Sequence, residues 1–78
     1  MNFAERLAYV RAERMLTQKQ LAEKAGVGIA TIARSEAGGS VPHGGTIQKI
    51  AVALDVEIRD LIEPAEMFAA RRRKKAAA

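Results

Sequence analysis

In a chain of 78 residues, few side chains are able to do chemistry. There is one histidine, His43, and no cysteine. His43 stands between Pro42 and Gly44 with no second histidine, thiol or nearby acid to work with. Neither a metal site nor a nucleophile–base pair is therefore expected, and no cofactor is implied. The carboxylates are spread at helix-surface spacing and read as solvated faces and intrahelical pairs. GVG (residues 26–28) and GGS (residues 38–40) are turn signals rather than phosphate-cradling loops. The expectation is a protein that is not an enzyme.

The net charge of +4 is unevenly placed. Residues 1–63 hold eight Lys/Arg and eight Asp/Glu, so the whole excess lies in the last 15 residues, where Arg71, Arg72, Arg73, Lys74 and Lys75 face Glu66 alone. Such a block reads either as a solvated end or as an arm that releases counterions from a polyanion, adding affinity for all nucleic-acid sequences alike. The apolar runs are far shorter than the roughly 20 residues needed to span a bilayer, so no membrane association is expected. Lack of cysteine suits a reducing compartment; the expected location is cytoplasmic and nucleoid-associated.

The elements that position these groups read as helices throughout. Phe3, Leu7 and Val10 recur at helical spacing, predicting helix 1 over residues 2–14. Thr17 is a good N-cap for QKQLAEKA, and Gly26 a good left-handed terminator, which defines a two-turn helix 2. Ile29, Ile32 and Ala33 begin a third helix, about residues 28–37, that must stop at Gly38-Gly39. Ile47, Ile50, Ala51 and Leu54 make helix 4, starting between Pro42 and Thr46. Ile58, Leu61 and Ile62 make a short fifth helix closed by Pro64. No stretch alternates with period 2, so the fold class is all-α. The expected core is Leu7, Val10, Leu16, Leu21, Ala22, Ile32, Ile47, Ile50, Leu54, Val56 and Leu61. The domain is expected over residues 1–63 and a basic, flexible tail over 64–78. Met67 and Phe68 have no assigned core and are expected to dock on helix 1 or to join a dimer contact.

TQKQLAEKAGVGIATIARSEAG, residues 17–38, resembles the helix-turn-helix of the Cro/cI-type, xenobiotic-response-element family. FAERLAYVRAERMLTQ is similar to that family's first helix and VPHGGTIQKIAVALDV to its fourth, so the likeness covers roughly residues 3–62. It implies a compact five-helix, lambda-repressor-like DNA-binding domain. Ala22 is small where helices 2 and 3 cross, Gly26 allows the turn, and Ile32 packs between the two helices.

The same resemblance implies a set of site residues. Base edges would be met from Ile29, Ala30 and Arg34, with Ala33 beside them. Of these only Arg34 can make the bidentate contact that distinguishes guanine, while the others offer methyl contacts to thymine. Phosphate contacts would come from Gln18, Lys19, Gly28, Thr31, Ser40 and His43, and from the tail bases. Gly28 departs from the family's usual serine, so the hydroxyl cap of helix 3 is missing. Arg11 and Glu36 match a structural ion pair. The partners implied are double-stranded DNA and a second copy of the chain, for a transcriptional regulator, most simply a repressor. The alternative on the same scaffold is a protein-interaction module, such as a toxin-binding antitoxin or a coactivator adapter.

Overall fold

The structure is a computed structural model that describes residues 1–66. The basic run 71–75, Met67 and Phe68 lie outside the described residues. Among the described residues, four α-helices, α1 (Phe3–Glu13), α2 (Gln18–Ala25), α3 (Ile29–Glu36) and α4 (Gly44–Leu54), are followed by a 3₁₀ turn at Ile58–Asp60. No strand occurs among the described residues.

Local chemistry accounts for most of the boundaries. Asn2 accepts from the Glu5 backbone N at 2.9 Å while the Glu5 side chain accepts from the Asn2 N at 3.2 Å, a reciprocal cap on two otherwise free donors of α1. Thr17 and Gln20 repeat the device on α2, at 3.0 and 2.8 Å. Gly26, at φ 71°, ends α2 in the left-handed region where a Cβ would be strained. Gly38, at φ 81°, ends α3 in the same way, and Gly39 N donates to the Arg34 carbonyl at 3.0 Å. Two further left-handed positions lack glycine. Met15 and Asp55, both at φ 58°, turn the chain after α1 and α4. Arg14 joins these two ends, its Nε donating to the Leu54 carbonyl at 2.8 Å.

α2 packs against both α3 and α4, and α1 packs against α3. Leu7, Leu21, Ile32, Ile47, Ile50, Leu54 and Leu61 meet at the centre with 0–1% exposure. Each contributes about 2 kcal/mol by leaving water. Phe3, Ala25, Ala51, Ala53 and Ile62 are buried with them, beyond the expected core. Val10, Leu16 and Val56 are only partly buried and pack on its edge.

The short fifth helix is present as a 3₁₀ turn at Ile58–Asp60, with the Glu57 N donating to Asp60 Oδ2 at 2.9 Å across it. Pro64 does not simply close it; residues 64–66 are themselves helical, with proline in the first-turn position its fixed φ suits. This turn is tied back to α1. Glu66 Oε2 accepts from the Phe3 N at 2.8 Å, one of the free donors at the start of α1. Arg6 Nη2 donates to Glu63 Oε1 at 2.7 Å, and Arg6 Nη1 lies 3.7 Å from Glu66 Oε1. The packed body therefore continues past residue 63.

The Arg6 hydrogen bond, followed by the attraction of its charge, holds the Glu63 carboxyl below its ordinary value of 4.5. A carboxyl depressed in the folded state adds stability above its unfolded value, and that stability is lost as pH falls through the folded value. Arg6→Gln is thus expected to be less stable than the parent at pH 7 and to converge with it below about pH 4. Urea melts across pH check this, and a deficit constant down to pH 2.5 would contradict it.

Candidate nucleic-acid interface

α2, the turn at Gly26–Gly28 and α3 form one packed corner. Ala22, 3% exposed, and Ala25 are the small residues that let α3 approach α2, and Ile32 fills the angle between them with no exposure. With Ile32 and Ser35 turned inward, helical periodicity sends the remaining face of α3 outward. Ile29 is 51% exposed, Ala30 and Arg34 are exposed, and Ala33 is half-buried beside them. Ile29 is therefore a surface residue. The Arg34 side chain takes part in no ion pair or hydrogen bond among the described residues, so its five donors are free for a ligand. Its stem runs past Gly39, where an added Cβ would lie 3.7 Å from Arg34 Cγ.

Three elements converge on the end of α3. Arg11 of α1 grips Glu36 through two parallel hydrogen bonds, Nε to Oε2 at 2.6 Å and Nη2 to Oε1 at 2.9 Å. Its remaining terminal nitrogen, Nη1, donates to the Leu16 carbonyl at 2.7 Å, in the link between α1 and α2. Gln18, first residue of α2, donates its amide Nε2 to Glu36 Oε1 at 3.1 Å. The Glu36 side chain is 7% exposed and that of Arg11 20%. The hydrogen bond that Arg11 donates to Glu36 raises the guanidinium above its already high value, so Arg11 stays charged.

The other sequence-selected residues surround this corner without forming a cluster of their own. Lys19 is exposed one residue beyond Gln18 at the start of α2. Gly28 is the N-cap of α3 and offers no side-chain acceptor, leaving first-turn N–H groups uncapped by a side chain. Thr31 is half-buried, and Ser40 and His43 are exposed in the connection from α3 to α4. His43 is folded over the start of α4, its Nε2 3.2 Å from Thr46 Oγ1.

Two features escaped the sequence reading. Gln18, selected for outward contact, also has an inward bond to Glu36 that depends on α2 and α3 meeting in space. Ser35 is 1% exposed, and its Oγ has no hydrogen-bond partner among the described residues. Only the helical spacing from Ile32 hinted at the latter, by placing position 35 on the inner face.

A short helix presented outward by a second helix across a glycine turn, with a free arginine on it, defines a helix-turn-helix domain. A helix-turn-helix family model matches residues 7–61. The chain belongs to the xenobiotic-response-element type of this family, the Cro/cI-type transcriptional regulators. It is 44% identical over 62 residues to the HTH-type transcriptional repressor RghR of Bacillus subtilis (strain 168), covering 78% of this chain and 46% of that protein. The chain thus spans about half the length of that curated relative. Among solved structures it is similar to the restriction-modification controller protein C.AhdI from Aeromonas hydrophila, with a TM-score of 0.74 and 33% identity over 77% of this chain and 91% of that one. A SinR/SinI protein complex contains a chain of the same fold, with a TM-score of 0.75 at 24% identity, over 96% of this chain and 74% of that one.

Two stability predictions follow from the geometry of α3. Glu36→Ala leaves the Arg11 charge largely buried and unpaired, and is expected to cost about 3 kcal/mol. That corresponds to a fall in melting temperature of roughly 12 °C or more for a domain of this size. A thermal melt within about 2 °C of the parent contradicts it. Ser35→Ala removes a buried hydroxyl with nothing to bond and is expected to gain about 1 kcal/mol, read as a rise in the urea midpoint at constant slope.

Proposed function

We propose that the chain is a sequence-preferring DNA-binding transcriptional regulator, acting as a repressor, that inserts α3 into the major groove as a homodimer. One observation carries this reading: the outward face of α3 is a free guanidinium among small apolar groups, and α3 is fixed in rotation by the buried Glu36 at its end. A helix held in this way can lie deep in the groove. Arg34 would then donate to guanine O6 and N7, while Ile29, Ala30 and Ala33 would meet thymine methyl groups. One hydrogen-bonding residue per half-site provides little discrimination, so the reading needs two copies on half-sites about 10 base pairs apart.

Phosphates on either side would be held by Lys19, by the first-turn N–H groups of α3 from Gly28, and by Thr31, Ser40 and His43. Gln18 fits this scheme through its second amide hydrogen. One hydrogen bonds Glu36 and orients the group, and the other is free for a phosphate oxygen. The C.AhdI likeness supports a small regulator, since that controller chain is covered almost end to end.

A specific observation supports a second reading. Ile29 at 51% exposure, beside Ala30, is an apolar contact surface of the kind that a protein partner would cover. On that reading the chain is an interaction module, such as an antitoxin or adapter.

The deciding experiment selects bound fragments from a random-sequence DNA pool during a salt titration and sequences them. Enrichment of a palindrome by the parent chain, lost in Arg34→Ala while non-specific retention persists, is the expected result. Retention without enrichment, collapsing steeply with salt, would sink the DNA-reading proposal and direct the search for the partner of α3 to proteins.

A further inference from the structure

Two surfaces away from the α3 face have complementary chemistry. The first is the outer side of α1. Glu5, Tyr9, Ala12 and Glu13 fall on one helical face, all exposed, with Tyr9 at 54%. Glu5 and Glu13 bracket the aromatic ring at a separation of about 12 Å along the axis. The second surface is a shallow groove between the last turn of α2 and α4, lined by Lys24, Ala25, Gly45, Lys49, Val52 and Ala53. Its apolar rim residue, Val52, is 73% exposed. Along α4, Gly45 to Val52 span about 10 Å, close to the length of the acidic face. No acid lines the groove. Among the described residues, Glu13, Lys24 and Lys49 belong to no ion pair.

We propose that the acidic face of α1 seats in the α2–α4 groove of a second copy of this chain, with Tyr9 against Val52 and the glutamates beside Lys24 and Lys49. The two surfaces cannot satisfy each other within one copy, because α1 packs on α3 whereas the groove lies between α2 and α4. The small residues Ala25, Gly45 and Ala53 form a floor that admits a helix with a ring projecting from it. The basic run 71–75 is unsuited to the groove, since Lys24 and Lys49 repel it. The contact is head to tail. As proposed, it joins two different patches and adds copies in a row rather than exchanging both contacts between two copies. It is therefore distinct from the dimer proposed above and does not depend on DNA binding. Where copies sit side by side on DNA, it would make their loading cooperative.

The test is sedimentation equilibrium of the full chain over a concentration series at low and high salt, with Lys49→Glu, Glu13→Lys and the double variant. These positions are exposed, and thermal melts verify that each variant folds. The expected result is a mass that keeps rising beyond that of a dimer at low salt. Either single reversal should weaken this further association about tenfold or more, and the double variant should restore it. Tyr9→Ala should weaken it without changing its salt dependence. A parent chain whose mass stops at the dimer overturns the proposal, as do single reversals without effect or a double variant that stays weak.

Discussion

The Glu36 carboxylate, gripped by Arg11 and touched by Gln18, is the constraint on which the presentation of α3 depends. Apolar contacts hold α3 to α2 through Ile32, but they are non-directional and tolerate rotation of a short helix about its axis. Charge-assisted hydrogen bonds do not. Two parallel N–H···O bonds fix both the distance and the plane of the carboxylate, and the third donor comes from a different helix. The Arg11 bond to the Leu16 carbonyl extends the same network into the α1–α2 link. Rotating α3 by one residue would break all of this and turn Ile32 toward water. The outward direction of Ile29, Ala30 and Arg34 is thus a consequence of an inward ion pair.

Such a clasp matters more because the rest of the seat of α3 is thin. A helix of eight residues is far too short to persist alone, so its stability is borrowed from packing. Gly28 provides no side-chain cap at one end, and the unpartnered hydroxyl of Ser35 weakens the inner face near the other. The fixed end is the C-terminal one, at Glu36. The end that carries Ile29 and Ala30 has fewer directional bonds. Adjustment to a ligand surface should therefore concentrate in the first turn of α3, where an incoming anion would also supply the missing cap.

Much of this was legible in the sequence because the signals are local. Thr17, Gly26 and Gly38-Gly39 state their own backbone requirements, and α2 begins and ends, and α3 ends, where those residues say. The unreadable parts depend on contacts distant in sequence or on residues acting outside their usual preference. Met15 and Asp55 take left-handed conformations with no glycine to mark them. Ile58, Leu61 and Ile62 have helical spacing, but that spacing does not distinguish an α-helix from the 3₁₀ turn found at Ile58–Asp60. Ala51 and Ala53 are too small for hydropathy to distinguish core from surface. Phe3 is buried close to where Glu66 closes over the start of α1, 63 residues away in the chain. Gln18 is the case that bears on function. Its type and position point outward, and only the assembled corner shows that one of its hydrogens is already committed.

The charge balance illustrates the same difference between composition and surface. Equal numbers of bases and acids in residues 1–63 suggest a body indifferent to polyanions. The structure separates those charges by role. Arg6, Arg11 and Arg59 are paired with Glu63, Glu36 and Glu57. Arg14 is turned to the Leu54 carbonyl. The bases outside these bonds are Lys19 and Arg34 on the α2–α3 corner, and Lys24 and Lys49 at the groove. Field strength at a contact surface depends on which charges are unneutralised within about 8 Å, roughly one screening length in physiological salt, rather than on the sum over the molecule. A body of zero net charge can therefore offer a locally basic corner to a phosphate backbone, because most of its arginines are spent on holding the fold.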